Sequence, residues 1–237
     1  MDKREILFEN VWRIRERIDN VARRAGRSDT VRLIAVSKYV QVDDGLIDLL
    51  LESGCRDFGE ARPQLLLEKM EHFAGRNEPI QWHMIGPLQR NKIRKLLPAV
   101  SLIHSVESVR LLDAMNRIAI EESLSPVPVL LEINISGDEN KHGFVPGDFP
   151  QVFDEMAIMT HVQIRGFMCM SGLESDVSTA REEFSQVRKL RDTMQPHAPD
   201  NCNLQELSMG MSDDFEIAIE EGATMVRIGS LLFDGIL

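Results

Sequence analysis

Apolar and polar positions along the chain follow a helical period first and a mixed pattern afterwards. In residues 3–25 the apolar side chains recur every three or four positions and stop near Gly26, which predicts an amphipathic helix. After that helix, short runs rich in β-branched residues alternate with longer helical patterns as far as the C-terminus. The predicted strands are 31–37, 56–58, 80–85, 101–104, 127–133, 162–168, 204–207 and 224–228, and the predicted helices between them are 41–53, 62–74, 89–97, 107–123, 148–159, 177–194 and 212–221.

The alternation of strands and helices predicts right-handed βαβ units and a parallel sheet. Eight strands in 237 residues favour closure into a (β/α)8 barrel. The alternative is an open doubly wound sheet, but no Gly-x-Gly-x-x-Gly follows the first strand and no acidic residue is placed to hold a ribose. We therefore predict an α/β chain with one domain over 1–237, in which a helix at about 3–25 precedes a barrel at about 31–233.

The composition is that of a soluble globular protein with an acidic surface. Hydrophobic residues make up 43% of the chain, charged residues make up 27%, and the formal net charge is −11. That charge would repel a polyphosphate backbone, so nucleic acid is not expected as a partner. One basic cluster, Arg90, Lys92, Arg94 and Lys95, is interpreted as a solvated helix face, with a local anion or partner site as the alternative.

The N-terminal segment and the cysteines indicate a cytoplasmic protein. The first 26 residues are charged throughout, and no stretch approaches the roughly 20 apolar residues that a membrane-spanning helix needs. Cys55, Cys169 and Cys202 are odd in number and widely spaced, which suggests neither disulfides nor a zinc site. We expect a reducing compartment, no contact with a membrane and no bound metal.

A lysine directly after the first predicted strand is the leading candidate for chemistry. Functional residues of a (β/α)8 barrel lie at the C-terminal ends of the strands, and Lys38 ends the run VRLIAVSK at 31–38. Burial at an apolar barrel mouth would favour the neutral amine, which can form a Schiff base with an aldehyde. The structural alternative is a strand-end lysine whose ammonium group reaches water.

The loops after the last two predicted strands have the residue types of a phosphate site. LSMGMSDD at 207–214 leads into a helix, with Ser212 interpreted as its N-cap, and the free N–H groups there suit an anion. Gly229 and Ser230 add a close backbone approach and a hydroxyl. Closure makes the first and last strands neighbours, so this site, Lys38 and Arg227 could together hold a phosphorylated aldehyde such as pyridoxal phosphate.

Six segments carry a resemblance to one known family. They are AVSKYV at 35–40, FGEARPQ at 58–64, WHMIGPLQRNK at 82–92, INISGDENKHG at 133–143, LSMGMSDDFEIAI at 207–219 and GATMVRIGSLLF at 222–233. Over about residues 5–233 the sequence resembles the pyridoxal phosphate homeostasis proteins, which are single-domain TIM barrels similar to the N-terminal domain of alanine racemase.

The resemblance implies pyridoxal 5′-phosphate (PLP) as cofactor. It implies that Lys38 carries PLP as an internal aldimine and that Arg227 faces the pyridine nitrogen. The phosphate would be held by Ser212, Gly229 and Ser230, and the pocket would be lined by Ser208, Gly210, Met211 and His83. Two departures from the family pattern, Ala61 in place of a frequent Asn and the tail Phe233-Asp234-Gly235-Ile236, leave Lys38 and Arg227 untouched.

The resemblance further implies that the protein carries and buffers PLP in the cell and influences amino-acid and keto-acid balance. Its partners would be PLP and PLP-dependent apoenzymes, and the chain would be a monomer. An arginine opposite the pyridine nitrogen disfavours protonation of the ring, which weakens it as an electron sink. We therefore expect binding without rapid turnover.

Racemisation would need a second acid or base on the opposite face of the cofactor. Strand alternation predicts that Tyr39 and Lys38 point to opposite faces, and Cys169 is interpreted as a packing residue. The alternatives that stay open are a weak PLP-dependent amino-acid racemase or lyase, a Schiff-base aldolase acting on a sugar phosphate, and an interaction protein that uses the basic cluster at 90–95.

The remaining polar clusters receive structural interpretations. Asp138, Glu139 and His142 lie in one polar loop, which favours a solvated turn over a metal site. His104 and His161 lie at the edges of predicted strands without an evident partner and are interpreted as structural histidines.

Overall fold

A computed structural model of the chain describes residues 2–76, 78–135, 142–172 and 176–237. Eight parallel strands close into a barrel in which each strand pairs with the next and the last pairs with the first. The strands are β1 (Arg32–Val36), β2 (Asp57–Glu60), β3 (Gln81–Met84), β4 (Leu102–Val106), β5 (Val127–Glu132), β6 (Val162–Met168), β7 (Cys202–Ser208) and β8 (Met225–Ile228). The predicted (β/α)8 TIM barrel is confirmed.

The helices surround this barrel, and one additional helix precedes it. They are α1 (Lys3–Arg24), α2 (Leu46–Glu52), α3 (Pro63–His72), α4 (Ile93–Leu96), α5 (Val109–Glu121), α6 (Phe149–Ala157), α7 (Val177–Met194) and α8 (Phe215–Glu220). Every predicted strand and helix is present, with ends that differ by a few residues. The bounds differ most at α2 and α4, because short 3-10 turns at 42–44 and 90–92 occupy the start of the two predicted segments.

The N-terminal helix α1 begins with a capping box and packs on the barrel through one apolar face. The Asp2 side chain accepts a hydrogen bond from the Glu5 backbone N–H, and the Glu5 carboxylate accepts one from the Asp2 backbone N–H, which forms a capping box. The apolar stripe buries side chains such as Leu7 and Ile14, and the helix packs on α2 and α8. Asn10 also donates hydrogen bonds to the backbone oxygens of Leu232 and Asp234, so α1 holds the chain segment that follows β8.

The interior of the barrel has an apolar layer and a polar one. Ile34, Leu102, Leu130, Met168 and Met225 form a separate buried cluster, distinct from the core between the sheet and the helices. Because strand side chains alternate between the two faces, other interior positions of the same strands are two residues away, and several of these are polar. These polar positions include His104 and Arg227, which are both buried, and the buried Ser208 of β7 contacts both of them.

The predicted basic cluster lies at the surface. Within the described ranges, none of the helices combines the length and the apolar character that crossing a bilayer requires. In the cluster, Arg94 forms ion pairs with Glu121 and Glu122 of α5. This member of the cluster is therefore neutralised within the chain, as expected for a solvated helix face.

Candidate functional site

Lys38 lies two residues beyond the end of β1, in a turn at the C-terminal mouth of the barrel. Its side chain is partly buried, and its backbone oxygen accepts a 2.7 Å hydrogen bond from Nη2 of Arg62. Ile34 of β1 is in register with Arg227 of β8, and a Cβ atom built on Gly229 would lie 3.4 Å from Cβ of Val36. The structure thus brings the lysine and the loop after β8 to the same part of the mouth.

The predicted separation of Lys38 and Tyr39 was wrong. Nζ of Lys38 lies 4.8 Å from the centre of the Tyr39 ring, and that ring is exposed. The prediction assumed strand alternation, but β1 ends at Val36 and both residues lie in the turn that follows. Tyr39 is therefore a neighbour of the amine.

Arg227 is buried in β8 and is held by three backbone or side-chain oxygens. Its Nη1 donates 2.7 Å hydrogen bonds to the backbone oxygen and to Oγ of Ser208, and its Nη2 donates a 3.0 Å bond to the backbone oxygen of Cys169. Burial lowers the pKa of Arg227, while the charges of Cys169, Asp214 and Glu132 oppose that shift. The guanidinium is fixed between the ends of β6, β7 and β8.

The loops after β7 and β8 touch each other at the expected phosphate site. The backbone N–H of Gly229 points to Oγ of Ser212 at 3.4 Å, and the N–H of Arg227 donates to the oxygen of Gly210 at 3.0 Å. Gly210 has a φ of +90°, and a Cβ atom there would lie 2.5 Å from Cβ of Ala218. Only glycine fits this position without strain.

The interpretation of Ser212 as an N-cap was wrong. The N-cap of α8 is Asp214, whose Oδ1 accepts a 2.6 Å hydrogen bond from the Met211 backbone and whose Oδ2 accepts a 2.6 Å bond from Oγ of Ser171. The loop is one turn longer than predicted before the helix begins. Ser212 is left within the loop, next to Gly229.

The two loops have the donors that a phosphate group needs. Among the described residues, no acceptor is found for the backbone N–H groups of Ser212, Asp213, Ser230 and Leu231. Ser230 is exposed and Ser212 is partly exposed, so their hydroxyls can also reach a ligand. Free N–H groups together with hydroxyls and the nearby cations Lys38 and Arg227 suit a phosphorylated ligand.

The other predicted pocket residues divide between the mouth and the interior. Met211 is 38% exposed at the mouth. Ser208 is buried beneath it and contacts Arg227. His83 is buried deeper, with Nδ1 2.9 Å from Nε2 of His104 and Nε2 3.0 Å from Oδ1 of Asp57. Both ring nitrogens of His83 are therefore engaged with the protein.

Sequence reasoning missed the partners of His104. The sequence predicts a structural histidine but does not identify its partners, and the structure shows Nδ1 2.8 Å from Oγ of Ser208 and Nε2 in contact with His83. Burial lowers its pKa well below the usual value, and the neighbouring His83, Arg227 and Arg32 add to that effect. Its position two residues after Leu102, an interior residue of β4, was the available indication that it faces inward.

A second buried lysine was also missed. Nζ of Lys69 forms an ion pair with Glu60 and donates hydrogen bonds to the backbone oxygen of Ser37 at 2.7 Å and to its Oγ at 3.2 Å. Oε1 of Glu60 accepts bonds from the backbone N–H groups of Ala61 and Arg62. The sequence offered one indication, because Lys69 falls on the buried stripe of α3, three residues after Leu66.

Two ionisable groups near the site have raised pKa values. Burial raises the pKa of the Cys169 thiol to about 12, which keeps it protonated and agrees with its interpretation as a packing residue. Burial and the neighbouring Glu107 raise the pKa of Glu132 at the end of β5. Neither Asp138 nor Glu139 lies in the described residues, within which no cluster of three or more metal-binding side chains is found.

Residues 10–235 match the family model of the alanine racemase N-terminal domain. The pyridoxal phosphate homeostasis protein of Aquifex aeolicus is 38% identical over 226 residues, which cover 95% of this chain and 96% of that protein. The chain belongs to this family. It is a member of the pyridoxal phosphate homeostasis proteins within the alanine racemase N-terminal domain fold.

Solved structures of relatives agree with this membership. An unknown protein from Bifidobacterium adolescentis is 35% identical, with a TM-score of 0.88 and coverage of 98% of this chain and 97% of that one. PipY from Synechococcus elongatus, in its structure with PLP bound, is 34% identical, with a TM-score of 0.79 and coverage of 93% and 99%. Both solved relatives therefore share sequence and barrel with this chain over nearly its full length.

Proposed function

We propose that this protein binds PLP and takes part in PLP homeostasis in the cell, with the cofactor held as a Schiff base on Lys38. The observation that carries the proposal is the placement of Lys38 beside the Gly229 loop in a chain that is 34% identical to PipY, a protein with a PLP-bound structure. When bound, PLP supplies an electrophilic aldehyde and an electron-withdrawing ring.

Each part of the ligand has a matching group in the chain. The phosphate would be bound by Ser212, Gly229 and Ser230, since the N–H groups and hydroxyls of the two serines lie beside the close backbone approach at Gly229. Arg227 would face the pyridine nitrogen as a positively charged donor, since the guanidinium cannot accept a proton or a hydrogen bond. Ser208, Gly210 and Met211 would support the pocket wall, and His83 would act from the interior layer.

The chain's own residues favour carrying the cofactor over turnover. The two candidates for a second base are poorly suited, because Tyr39 lies against the Lys38 amine and the Cys169 pKa is raised to about 12. Arg227 also keeps positive charge where a protonated ring nitrogen would be needed for a strong electron sink. A weak racemase or lyase activity is the alternative that turnover assays with amino acids would detect.

The location and the partners of the protein are proposed from its cysteines and its net charge. Three buried cysteines without disulfides support a reducing, cytoplasmic location. The acidic net charge of −11 argues against nucleic acid as a partner. PLP-dependent apoenzymes would receive the cofactor from a monomeric carrier, and a test by size-exclusion chromatography and by activation of an apoenzyme addresses both points.

The direct test is covalent trapping of the cofactor. Purified protein is incubated with PLP, its visible absorbance is recorded, the sample is reduced with borohydride, and the modified peptide is identified by mass spectrometry. We expect a pyridoxyl group on Lys38 and none in Lys38→Ala. Lys95→Ala, which removes an exposed lysine of the basic cluster, is the matched control and should be modified as the parent is. A parent protein that stays unmodified would overturn the proposal, and sugar phosphates would then be tested as aldolase substrates.

A further inference from the structure

A continuous row of hydrogen bonds crosses the barrel interior from Arg227 to Asp57. Nη1 of Arg227 donates to Oγ of Ser208 at 2.7 Å, and that oxygen lies 2.8 Å from Nδ1 of His104. Nε2 of His104 lies 2.9 Å from Nδ1 of His83, and Nε2 of His83 lies 3.0 Å from Oδ1 of Asp57. We call these five side chains the interior chain. It joins strands β8, β7, β4, β3 and β2.

The two ends of the interior chain lie on β8 and β2, the two strands that flank β1. Arg227 is at the C-terminal end beside the candidate site, whereas Asp57 is the first residue of β2. The Asp57 side chain is 23% exposed and that of His83 is 2% exposed, so solvent reaches only the carboxylate end of this pair. The Asp57 carboxylate at the start of β2 is thus connected to the site arginine through the hydrogen bonds of the interior chain.

With His83 and His104 each carrying a single ring proton, the chemistry of the two ends fixes the direction of every bond. Arginine can only donate, and an ionised carboxylate can only accept. Ser208 therefore accepts from Arg227, and its hydroxyl proton goes to Nδ1 of His104. His104 then carries its proton on Nε2 and donates to Nδ1 of His83, whose own Nε2–H donates to Asp57. The opposite direction would leave an unprotonated His83 nitrogen facing a carboxylate oxygen, which is a contact between two acceptors.

The same bonds restrict the orientation of the guanidinium. Both N–H groups of Nη1 are used by Ser208, one on its backbone oxygen and one on Oγ, and Nη2 gives one to Cys169. Three of the five N–H donors are therefore fixed by the protein, and the plane of the group is set. The bond to Oγ depends on the Ser208 proton pointing away from Arg227, which in turn depends on His104 accepting it.

We propose that Asp57, His83 and His104 are positioning residues that hold Arg227 toward the cofactor through this directed interior chain. The inference rests on the proposed PLP binding and adds to it residues that do not reach the cofactor. Asp57 sets the direction, because an acceptor-only group at that end excludes the reversed arrangement. In the reversed arrangement Nδ1 of His104 would donate to Oγ of Ser208. The serine proton would then have no acceptor on His104 and could turn toward Arg227, where it would weaken the bond from the guanidinium.

The first experiment measures histidine tautomers in the cofactor-free protein. Ring-nitrogen NMR of the six histidines, assigned with His83→Gln and His104→Gln, should show a proton on Nε2 and none on Nδ1 in both interior rings. In Asp57→Asn the amide can donate or accept, so we expect a mixture of tautomers at both rings. A proton on Nδ1 of either ring in the parent protein would overturn the directed chain.

The second experiment measures how fast PLP leaves the loaded protein and where its absorbance band lies. Asp57→Asn should lose the cofactor about fivefold faster than the parent and shift the band, as expected for one weakened hydrogen bond to a charged group. His83→Gln breaks the chain at its middle and should act in the same way. The matched control is Glu206→Gln, which removes another partly exposed carboxylate, paired with Arg32 and 28% exposed.

The outcomes separate the two proposals. If the parent binds PLP and Asp57→Asn behaves as Glu206→Gln does, the positioning role is overturned and PLP binding stands. If the parent takes up no PLP, the proposed function fails and the positioning role fails with it. A faster loss of PLP from Asp57→Asn with an unchanged melting temperature supports the inference, because general destabilisation would also lower the melting temperature.

Discussion

Nζ of Lys69 donates a 2.7 Å hydrogen bond to the backbone oxygen of Ser37, the residue directly before Lys38. Lys69 comes from α3 and is 2% exposed, and its ion-pair partner Glu60 is fully buried at the end of β2. Because Glu60 also accepts two backbone N–H groups, the pair joins the ends of β1 and β2 beneath the candidate site. This buried pair therefore fixes the turn that presents Lys38.

Removal of one partner of the Lys69–Glu60 pair should lower the free energy of unfolding more than removal of both partners. Lys69→Met leaves the Glu60 carboxylate buried without its cation, so we expect a loss of about 3–5 kcal/mol in the free energy of unfolding. In the double variant Lys69→Met/Glu60→Gln the amide still accepts from Ala61 and Arg62, and much of the loss should be recovered. Urea denaturation of the two single variants and the double variant measures the coupling. Additive losses would contradict the account of the ion pair.

The fold could be predicted because the pattern of apolar positions that defines each strand and helix is local in the sequence. Each strand and helix has its own period of apolar positions, and the number of βα units decided between a closed barrel and an open sheet. The ends of elements were less well predicted because they depend on tertiary contacts. The start of α8 is an example: Asp214 takes the N-cap position and contacts Ser171 of the neighbouring loop, a partner 43 residues away.

The candidate site was predictable where position along a strand was sufficient. Lys38, Ser212 and Gly229 follow strands, and the barrel brings the ends of strands together. The interior chain was not predictable in this way. His104 and Ser208 are 104 residues apart and come from strands that are not neighbours, so only the closed barrel shows that they meet. Lys69 was missed because helical lysines are usually exposed.

The glycine at the bend of the phosphate loop should not tolerate a side chain. In Gly210→Ala the new methyl group would lie 2.5 Å from Cβ of Ala218 at a φ of +90°, so we expect a loss of about 1–3 kcal/mol in stability and weaker retention of PLP. Denaturation and cofactor uptake measure the two effects. Gly26→Ala is the control, since Gly26 has a φ of +71° but open space around it. Equal losses in the two variants would show that the contact with Ala218 is unimportant.

Glu132 should make the protein less stable as the pH rises. Its pKa is raised from a usual value of 4.5 by burial and by Glu107, so folding favours its protonated form. That contribution is fully present below pH 4.5 and is lost as the pH rises through the raised value. We therefore expect Glu132→Gln to be more stable than the parent at pH 7, with a difference that shrinks toward pH 4.5.

The measurement for Glu132 is the free energy of unfolding in urea across that pH range. Glu68→Gln, at an exposed position of α3, serves as the control and should follow the parent at every pH. A Glu132→Gln variant that is less stable than the parent at neutral pH would show that the carboxylate makes a favourable charged contact which outweighs its burial.

His104 should make the protein sensitive to mild acid. Its pKa is held well below the usual 6.5, mainly by burial, so the folded chain keeps the ring neutral while the unfolded chain binds a proton. The stabilising contribution is thus present above pH 6.5 and is lost as the pH falls from there toward the lowered value.

The free energy of unfolding should fall more steeply with acid in the parent than in His104→Gln. Below pH 6.5 the parent should lose about 1.4 kcal/mol of unfolding free energy per pH unit more than His104→Gln, because the variant has no ring to protonate. His197→Gln is the control, since solvent reaches that exposed side chain in the folded chain as well. Parallel profiles for the parent and His104→Gln between about pH 7 and pH 5 would mean that His104 accepts a proton within the barrel, and the neutral, directed interior chain would then have to be abandoned.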